Sequence, residues 1–329
     1  MSIQPAAVLA ALHADRAVSG SELARRLRVT RAAVWKQMQA LRALGVPILA
    51  MPGQGYRLAW PFEPLDADAI RAALAASVRR RLGGLRVHWQ LDSTNSELLR
   101  VAAAGAQDLS VCLAETQTDG RGRRGREWVS PLGANVYLSV LKRLDCGMVG
   151  LSGMSLAAGV AVHDALSASG ADGIGLKWPN DVVVGGRKLA GILVEAGGEF
   201  LGPCFAVIGI GVNLRLPETV DTGQPAVDLA RVCGDTLPSR NELVAQLLVR
   251  LVAALDEFAA KGFPAFVTRY AAHDALAGRS VRVHAANGVH DGIADGVDAR
   301  GALRVRHGKD VAIYDSADVS VRSGLAGRQ

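Results

Sequence analysis

No CxxC pair occurs in this chain, whose four cysteines (Cys112, Cys146, Cys204 and Cys233) lie scattered. That spacing excludes a zinc ribbon and a disulfide framework, and predicts reduced thiols in a cytoplasmic protein. The seven histidines form no HExxH and no GxSxG appears, so neither a zincin nor a hydrolase nucleophile elbow is encoded. A Walker A sequence is missing too. "GRGRRG" at 120–125 fits the GxGxxG string, but its intervening positions are arginines where a dinucleotide turn uses small residues. Apolar stretches such as "LAAGVAV" at 156–162 fall short of the ~20 residues of a membrane span. The opening "MSIQPAAVLAALHADR" has no basic n-region or cleavage site, so neither a signal peptide nor a membrane partner is expected. Acidic residues are scarce in one region only. Residues 1–60 hold Asp15 and Glu22 against eight Lys and Arg, leaving 29 of each sign in the remainder. The whole net charge of +6 therefore sits in the first sixty residues, the asymmetry that one nucleic-acid-binding module produces.

At 329 residues the chain is too long for one ordinary core, and its patterns divide it into three parts. Residues 1–60 read as a winged helix-turn-helix. "PAAVLAALHAD" carries a helical apolar stripe, and Ser19 with Glu22 forms a capping-box pattern before "ELARRLR". Thr30 opens "RAAVWKQMQALRAL", which stops at Gly45. In that helix Val34, Met38 and Leu41 recur at core spacing, which leaves Arg31, Ala32, Lys36 and Gln39 to meet DNA. "VPILAM" and "GYRLA" flank "PGQG" as a wing; a packing module with solvated charges is the competing reading. Two prolines mark 61–66 as a linker. Residues 67–275 mix strands, hairpins and segregated helices, which predicts α+β rather than a doubly wound sheet. Residues 276–325 read as a small five-stranded barrel, with turns at Asn287-Gly288, Arg300-Gly301 and His307-Gly308.

Ligand-shaped groups concentrate in the middle part. "AETQTDGRGRRGREW" (114–128) packs Arg121, Arg123, Arg124 and Arg126 among Gly120, Gly122 and Gly125. Arginine forks bind carboxylates and phosphates, and glycines admit a close backbone approach, so an anion is the expected ligand. Nucleic acid or plain solubility would use the same run. "LDSTNSE" places Ser93, Thr94 and Asn95 at a strand-to-helix junction, where they serve either a ligand or the helix cap. "KWPNDVVV" sets Lys177, Asn180 and Asp181 about a proline turn, suited to phosphate and its Mg²⁺ or to an ordinary turn. Lys188 interrupts an apolar strand and needs a counter-charge. Gly209 and Gly211 in "IGIGVN" share one strand face and clear room for a flat ligand.

In this order the motifs "STN", "QTDGRGRRGREW", "KWPNDV", "RKLAGILVE" and "GIGVN" closely resemble those of the biotin protein ligases, specifically the bifunctional bacterial type that also represses biotin synthesis genes. The resemblance runs from about residue 5 to Arg322, with Glu127 standing where a basic residue is common. It implies a winged helix-turn-helix, a class II synthetase-like α+β catalytic domain and an SH3-like C-terminal barrel. It also implies synthesis of biotinyl-5′-AMP from biotin and Mg-ATP, then transfer to a lysine of the biotin carboxyl carrier protein of acetyl-CoA carboxylase. By the same resemblance, Ser93, Thr94, Asn95, Gln117, Gly120, Arg121, Gly122, Arg123, Lys188, Gly209 and Gly211 hold biotin. Arg123, Arg126, Trp128, Asn180, Lys188, Asn213 and Arg322 hold ATP or the adenylate. Lys188, Arg121, Arg123 and Asp181 are the catalytic candidates, with Asp181 steering the acceptor lysine. The protein supplies no metal site of its own beyond the Mg²⁺ that comes with ATP. A ligand-dependent homodimer on the operator of biotin genes is the expected regulatory form. A lipoate–protein ligase and a ligand-sensing repressor without ligase activity are the alternatives.

Overall fold

The computed structural model describes residues 4–285 and 288–315, and the backbone of 320–323. The first part holds three helices, α1 (Pro5–Ala10), α2 (Gly20–Leu27) and α3 (Arg31–Ala43), and a hairpin of β1 (Ile48–Met51) with β2 (Gly55–Leu58). Ser19 Oγ accepts from the Glu22 N–H at 3.1 Å and Thr30 Oγ1 from Ala33 N–H at 3.2 Å, so both predicted caps form. The first helix is shorter than its apolar stripe predicts. Tertiary bonds take its continuation: the wing's Leu58 N–H donates to His13 O at 2.8 Å and Arg57 Nη1 to Ala14 O at 3.0 Å. Val34, Met38 and Leu41 face a core that Leu132, from far downstream, also enters.

Residues 61–66, expected as a linker, are pinned rather than slack. The Phe62 ring lies edge-on to Trp89 with centroids 6.3 Å apart, and it fills the space beside Gly133 where a Cβ would stand 2.3 Å away. Beyond it come α4 (Ala67–Ala73) and α5 (Ala76–Arg79).

The middle part is built on a seven-stranded sheet. Its strands are β3 (Gly84–Leu91), β4 (Ser110–Gln117), β5 (Val136–Leu144), β6 (Ile174–Lys177), β7 (Asp181–Val184), β8 (Arg187–Gly198) and β9 (Cys204–Val212), ordered β3-β4-β5-β9-β8-β7-β6. Only β3 and β4 run parallel, joined by the crossover helix α6 (Thr94–Ala103); every other pair is antiparallel, as α+β predicts. Gly185 and Gly186, at φ +56° and +77°, make the tight β7–β8 turn. The two faces are covered differently. On one, α7 (Met154–Ala168) and α9 (Arg240–Lys261) bury Leu113, Val140 and Ile208. On the other, α6 sets Leu98 and Ala102 against Cys112, Leu141 and Val207. The shorter α8 (Leu229–Cys233) and α10 (Val267–Ala271) flank α9 in the chain. Met148–Ala168 is apolar enough over its 21 residues to pass for a membrane span, but the fold uses α7 as its core helix.

The last strands, β10 (Ser280–Ala285), β11 (Gly288–Val297), β12 (Leu303–His307), β13 (Asp310–Tyr314) and β14 (Ser320–Ser323), form an antiparallel sheet ordered β13-β12-β11-β10-β14. The Gly301 and Gly308 turns occur with φ of +83° and +64°, whereas Asn287 lies outside the described residues. Val281, Val283 and Leu303 join the main core, and Trp178 Nε1 donates to Gly301 O at 3.0 Å.

One buried charge ties segment 61–66 to the middle part. Arg240, 3% exposed, donates from Nη1 to Glu115 Oε2 at 2.8 Å and to Glu63 O at 2.7 Å, and from Nη2 to Asn135 O at 2.8 Å. Glu115 Oε1 in turn accepts from Leu65 N–H. Removing one member of a buried pair leaves the other charged without a partner. Arg240→Ala is therefore expected to cost about 3–5 kcal/mol in denaturant unfolding, far above a surface arginine truncated in parallel.

Candidate active site

A cleft of about 920 Å³ opens where α6 begins, roofed by the arginine loop and floored by β8 and β9. Strand geometry explains how a lysine reaches it. Along a regular β8, Lys188 and Gly191 would point to opposite faces, because side chains alternate. Between Val182 and Val183 the β7–β8 register shifts by one residue: Val182 faces Ala190, but Val183 faces Lys188. The bulge turns Lys188 onto the face of Gly191, where a Cβ would meet Lys188 Cε at 2.9 Å, while Leu189 and Ala190 are buried in the core. The counter-charge that this lysine requires is Asp181, whose Oδ1 lies 2.7 Å from Lys188 Nζ as a close ion pair without good hydrogen-bond angles. Nζ also lies 5.2 Å from the centre of the Trp128 ring.

The floor glycines make room for protein groups as well as for a ligand. A Cβ on Gly209 would stand 2.3 Å from Asn95 Oδ1, and one on Gly211 2.3 Å from the Trp128 ring. Beside them runs a chain of polar contacts. Asn95 Nδ2 donates to Glu195 Oε2 at 2.7 Å, and Asn95 Oδ1 lies 2.6 Å from Ser139 Oγ. Ser139 Oγ is 2.7 Å from Thr94 Oγ1, which is 3.2 Å from Gln117 Oε1. Gln117 Nε2 then reaches Ser130 Oγ at 3.1 Å. Ser93 occupies the N-cap position of α6 but its hydroxyl makes no cap bond, so capping does not account for this serine.

The arginine loop is a small hairpin. Gly122 N–H donates to Arg126 O at 2.7 Å and Trp128 N–H to Gly120 O at 2.8 Å, with Arg124 and Gly125 at φ of +60° and +69° in the turn. Gly120 admits close approach: a Cβ there would lie 2.5 Å from Trp128 O. Arg121 reaches inward to Ser96 Oγ at 2.9 Å and to Glu195 Oε1 at 3.3 Å. Burial first, and then Arg124, press the Arg123 guanidinium below the ordinary arginine pKa, with Arg126 adding to the fall and Asp181 opposing it. Such a cluster favours an incoming anion.

Of the residues singled out in the sequence for biotin and ATP, those lining the cleft include Ser93, Thr94, Gln117, Arg126, Asn180 and Lys188. Asn95, Arg121, Gly122, Arg123, Trp128, Gly209 and Gly211 line it too, as does the catalytic candidate Asp181, which leaves Gly120 and Asn213 outside. Gly120 is a buried stem residue of the loop's hairpin. Asn213, 5% exposed, holds the carbonyls of Lys188 and Val227 and supports the wall from behind. Arg322 stands opposite Arg282 in the β10–β14 register, and its side chain lies outside the described residues. Asn180 lines the cleft, with its amide nitrogen committed to Ile192 O at 2.7 Å. Sequence reading missed Glu195 and Ser139. Their signal was available as polar residues at inward positions of apolar strands. Away from the cleft, Arg31, Ala32, Lys36 and Gln39 are all exposed on α3, where Trp35, also missed, is 58% exposed among them.

Residues 87–213 match the biotin/lipoate A/B protein ligase family, and residues 6–57 match an HTH domain. The chain is 37% identical over 310 residues to the bifunctional ligase/repressor BirA of Salmonella typhimurium, covering 93% of each. It is 37% identical over 270 residues to the biotin–[acetyl-CoA-carboxylase] ligase of Mycobacterium tuberculosis, covering 77% of this chain and 98% of that one. The solved biotin protein ligase from Aquifex aeolicus in complex with biotin and ATP has a TM-score of 0.62 at 25% identity, over 73% of this chain and 99% of that one.

Because the indole of Trp128 occupies the space over Gly211, Gly211→Ala is expected to displace it. The near-ultraviolet circular dichroism of tryptophan should change, with a stability loss of about 1–3 kcal/mol.

Proposed function

This chain belongs to the family of bifunctional biotin protein ligases and repressors, and from that premise we propose how its cleft works. The protein is an ATP-dependent biotin protein ligase that also carries a repressor's helix-turn-helix. Joining a carboxylate to an α-phosphate brings two anions together, so the barrier falls with preorganised positive charge. The observation that carries the reading is the convergence of Lys188, Arg121 and Arg123 on one cleft with a polar floor. Ser93, Thr94 and Gln117 hold the ureido end of biotin, backed by Asn95, Gly209 and Gly211. Lys188 leaves Asp181 for the biotin carboxylate and follows the negative charge onto the α-phosphate as pyrophosphate departs. Arg126, Trp128 and Asn180 take the nucleotide side, and Arg322 is proposed to reach it from the last sheet. Mg²⁺ is proposed to arrive with ATP, held chiefly by phosphate oxygens. In the second step the ε-amine of the carrier lysine attacks the carbonyl carbon and AMP leaves. Asp181, released from Lys188, is the carboxylate placed to accept a proton from that amine.

We assign the carrier as the biotin carboxyl carrier protein of acetyl-CoA carboxylase, the location as the cytoplasm, and the ligand-bound state as a homodimer on the operator of biotin genes. Division of the chain at 60, 66 and 275 is proposed with it. The glycines of the arginine loop let ligand in, and its arginines close it over the mixed anhydride and exclude water.

Purified protein is expected to catalyse ATP–pyrophosphate exchange that depends on biotin and needs no carrier. Exchange with lipoate alone would transfer the protein to the lipoate ligases, and none with either in a sample that binds biotin would leave a sensor. Arg123→Ala is expected to shorten retention of the adenylate about tenfold or more, measured by gel filtration of labelled complex. Operator binding by the liganded protein should weaken steeply with salt in an electrophoretic shift, and a slope near zero contradicts phosphate contacts by α3.

A further inference from the structure

We propose that Glu195 fixes the direction of the Ser139 and Thr94 hydroxyl protons on the cleft floor, so that Thr94 offers its ligand a lone pair and selects a ring N–H. The inference rests on the reading that this cleft takes biotin, whose ureido ring carries two N–H donors.

The direction follows by elimination from the contacts. A carboxylate paired with Arg121 only accepts, so at the 2.7 Å contact with Glu195 Oε2 Asn95 must present its NH₂ group. The other end of the amide is then the carbonyl oxygen Oδ1, which also only accepts. Ser139 has one hydroxyl proton, and at 2.6 Å from Asn95 Oδ1 that proton must point at the amide. The 2.7 Å contact between Ser139 and Thr94 therefore runs the other way, with Thr94 Oγ1 donating and Ser139 Oγ accepting. Thr94 has no second proton. Its hydroxyl faces Gln117 and the cleft with lone pairs alone, and the 3.2 Å approach to Gln117 Oε1 is left without a hydrogen. Gln117 is oriented independently: its Oε1 accepts from Thr94 N–H at 2.9 Å and its Nε2 points to Ser130.

Asn95 itself is nearly saturated, with Nδ2 also 3.3 Å from Leu193 O, and it is 3% exposed. It transmits the direction set by Glu195 more than it meets a ligand. Glu195 is thus a positioning residue. It acts on specificity through three side chains, and through Arg121 it also anchors one stem of the arginine loop. The other stem is anchored by Ser130, whose hydroxyl donates to Trp128 O at 3.0 Å.

Without the carboxylate the chain can reverse. In Glu195→Gln the new amide can donate to Asn95 after a flip, which turns Asn95 Nδ2 toward Ser139 and sends the Thr94 proton into the cleft. In Ser139→Ala the Thr94 hydroxyl loses its 2.7 Å acceptor and keeps only the longer 3.2 Å approach to Gln117 Oε1, so its proton is free to turn to a ligand. The test is calorimetric titration of the full chain with biotin and with its two oxazolidinone analogues, in each of which a ring oxygen replaces one ureido N–H. Wild type should bind at least one analogue about 100-fold or more weakly than biotin, because a buried acceptor then faces another acceptor. In both variants that ratio should fall to about tenfold or less, while biotin itself still binds. An unchanged ratio in variants that bind biotin would overturn the inference and leave the ligase reading intact. Should Glu195→Gln not fold, Ser139→Ala decides alone. Failure of the wild type to bind biotin would instead overturn the reading of the cleft, and the inference with it.

Discussion

An ammonium group set into an apolar strand is stable only beside a negative charge, and the cleft is organised around that requirement. Lys188 reaches the site because one extra residue bulges β8, and it meets Asp181 across the same bulged pair of strands. The pair balances its own charge. A ligand carboxylate offers Lys188 a second partner, and the arginine loop, whose Arg123 is already crowded by like charge and burial, supplies the remaining positive field. One lysine and one carboxylate can therefore serve both half-reactions. The ammonium follows the anion through adenylate formation, and the carboxylate becomes available when the ammonium moves.

The same loop connects the chemistry to the first part of the chain through a short covalent path. Leaving the loop at Trp128, the chain passes Ser130, which closes the polar floor. Pro131 then sits against Gly45, and Leu132 is buried in the core of the helix-turn-helix, with its N–H donating to Leu44 O at 2.8 Å. Anything that reorders Trp128 acts within four residues of the end of α3. Segment 61–66 gives a second attachment through Glu63, Leu65 and the buried Arg240–Glu115 pair. The helix-turn-helix is thus held at two points, one of which is continuous with the ligand loop.

Much of this was legible before any coordinates. The caps at Ser19 and Thr30 and the turns at Gly301 and Gly308 are local signals, and local signals survive folding. Motif residues such as Ser93, Gln117 and Asp181 converge because they stand at the ends of elements, where chain direction brings ends together. Four features were hidden by their non-local origin. The first helix ends at Ala10, and the His13 and Ala14 carbonyls beyond it accept from the wing. The proline-marked segment is fixed by partners up to 178 positions away. Lys188 faces the cleft only through a register shift that no periodicity reveals. Asn213 reads as a ligand residue by its neighbours but carries the wall behind Lys188.

The claim at the centre is that Lys188 recognises the charge of the carboxylate, beyond filling space beside Trp128. The direct measurement is calorimetric affinity for biotin and for its neutral primary amide, in wild type and in Lys188→Met. Wild type should prefer the carboxylate by about 100-fold, consistent with a charge-assisted contact of about 1.5–3 kcal/mol, and the variant should bind both forms alike. A carboxylate preference that persists in Lys188→Met would contradict the account and move the recognition of charge to the arginine loop.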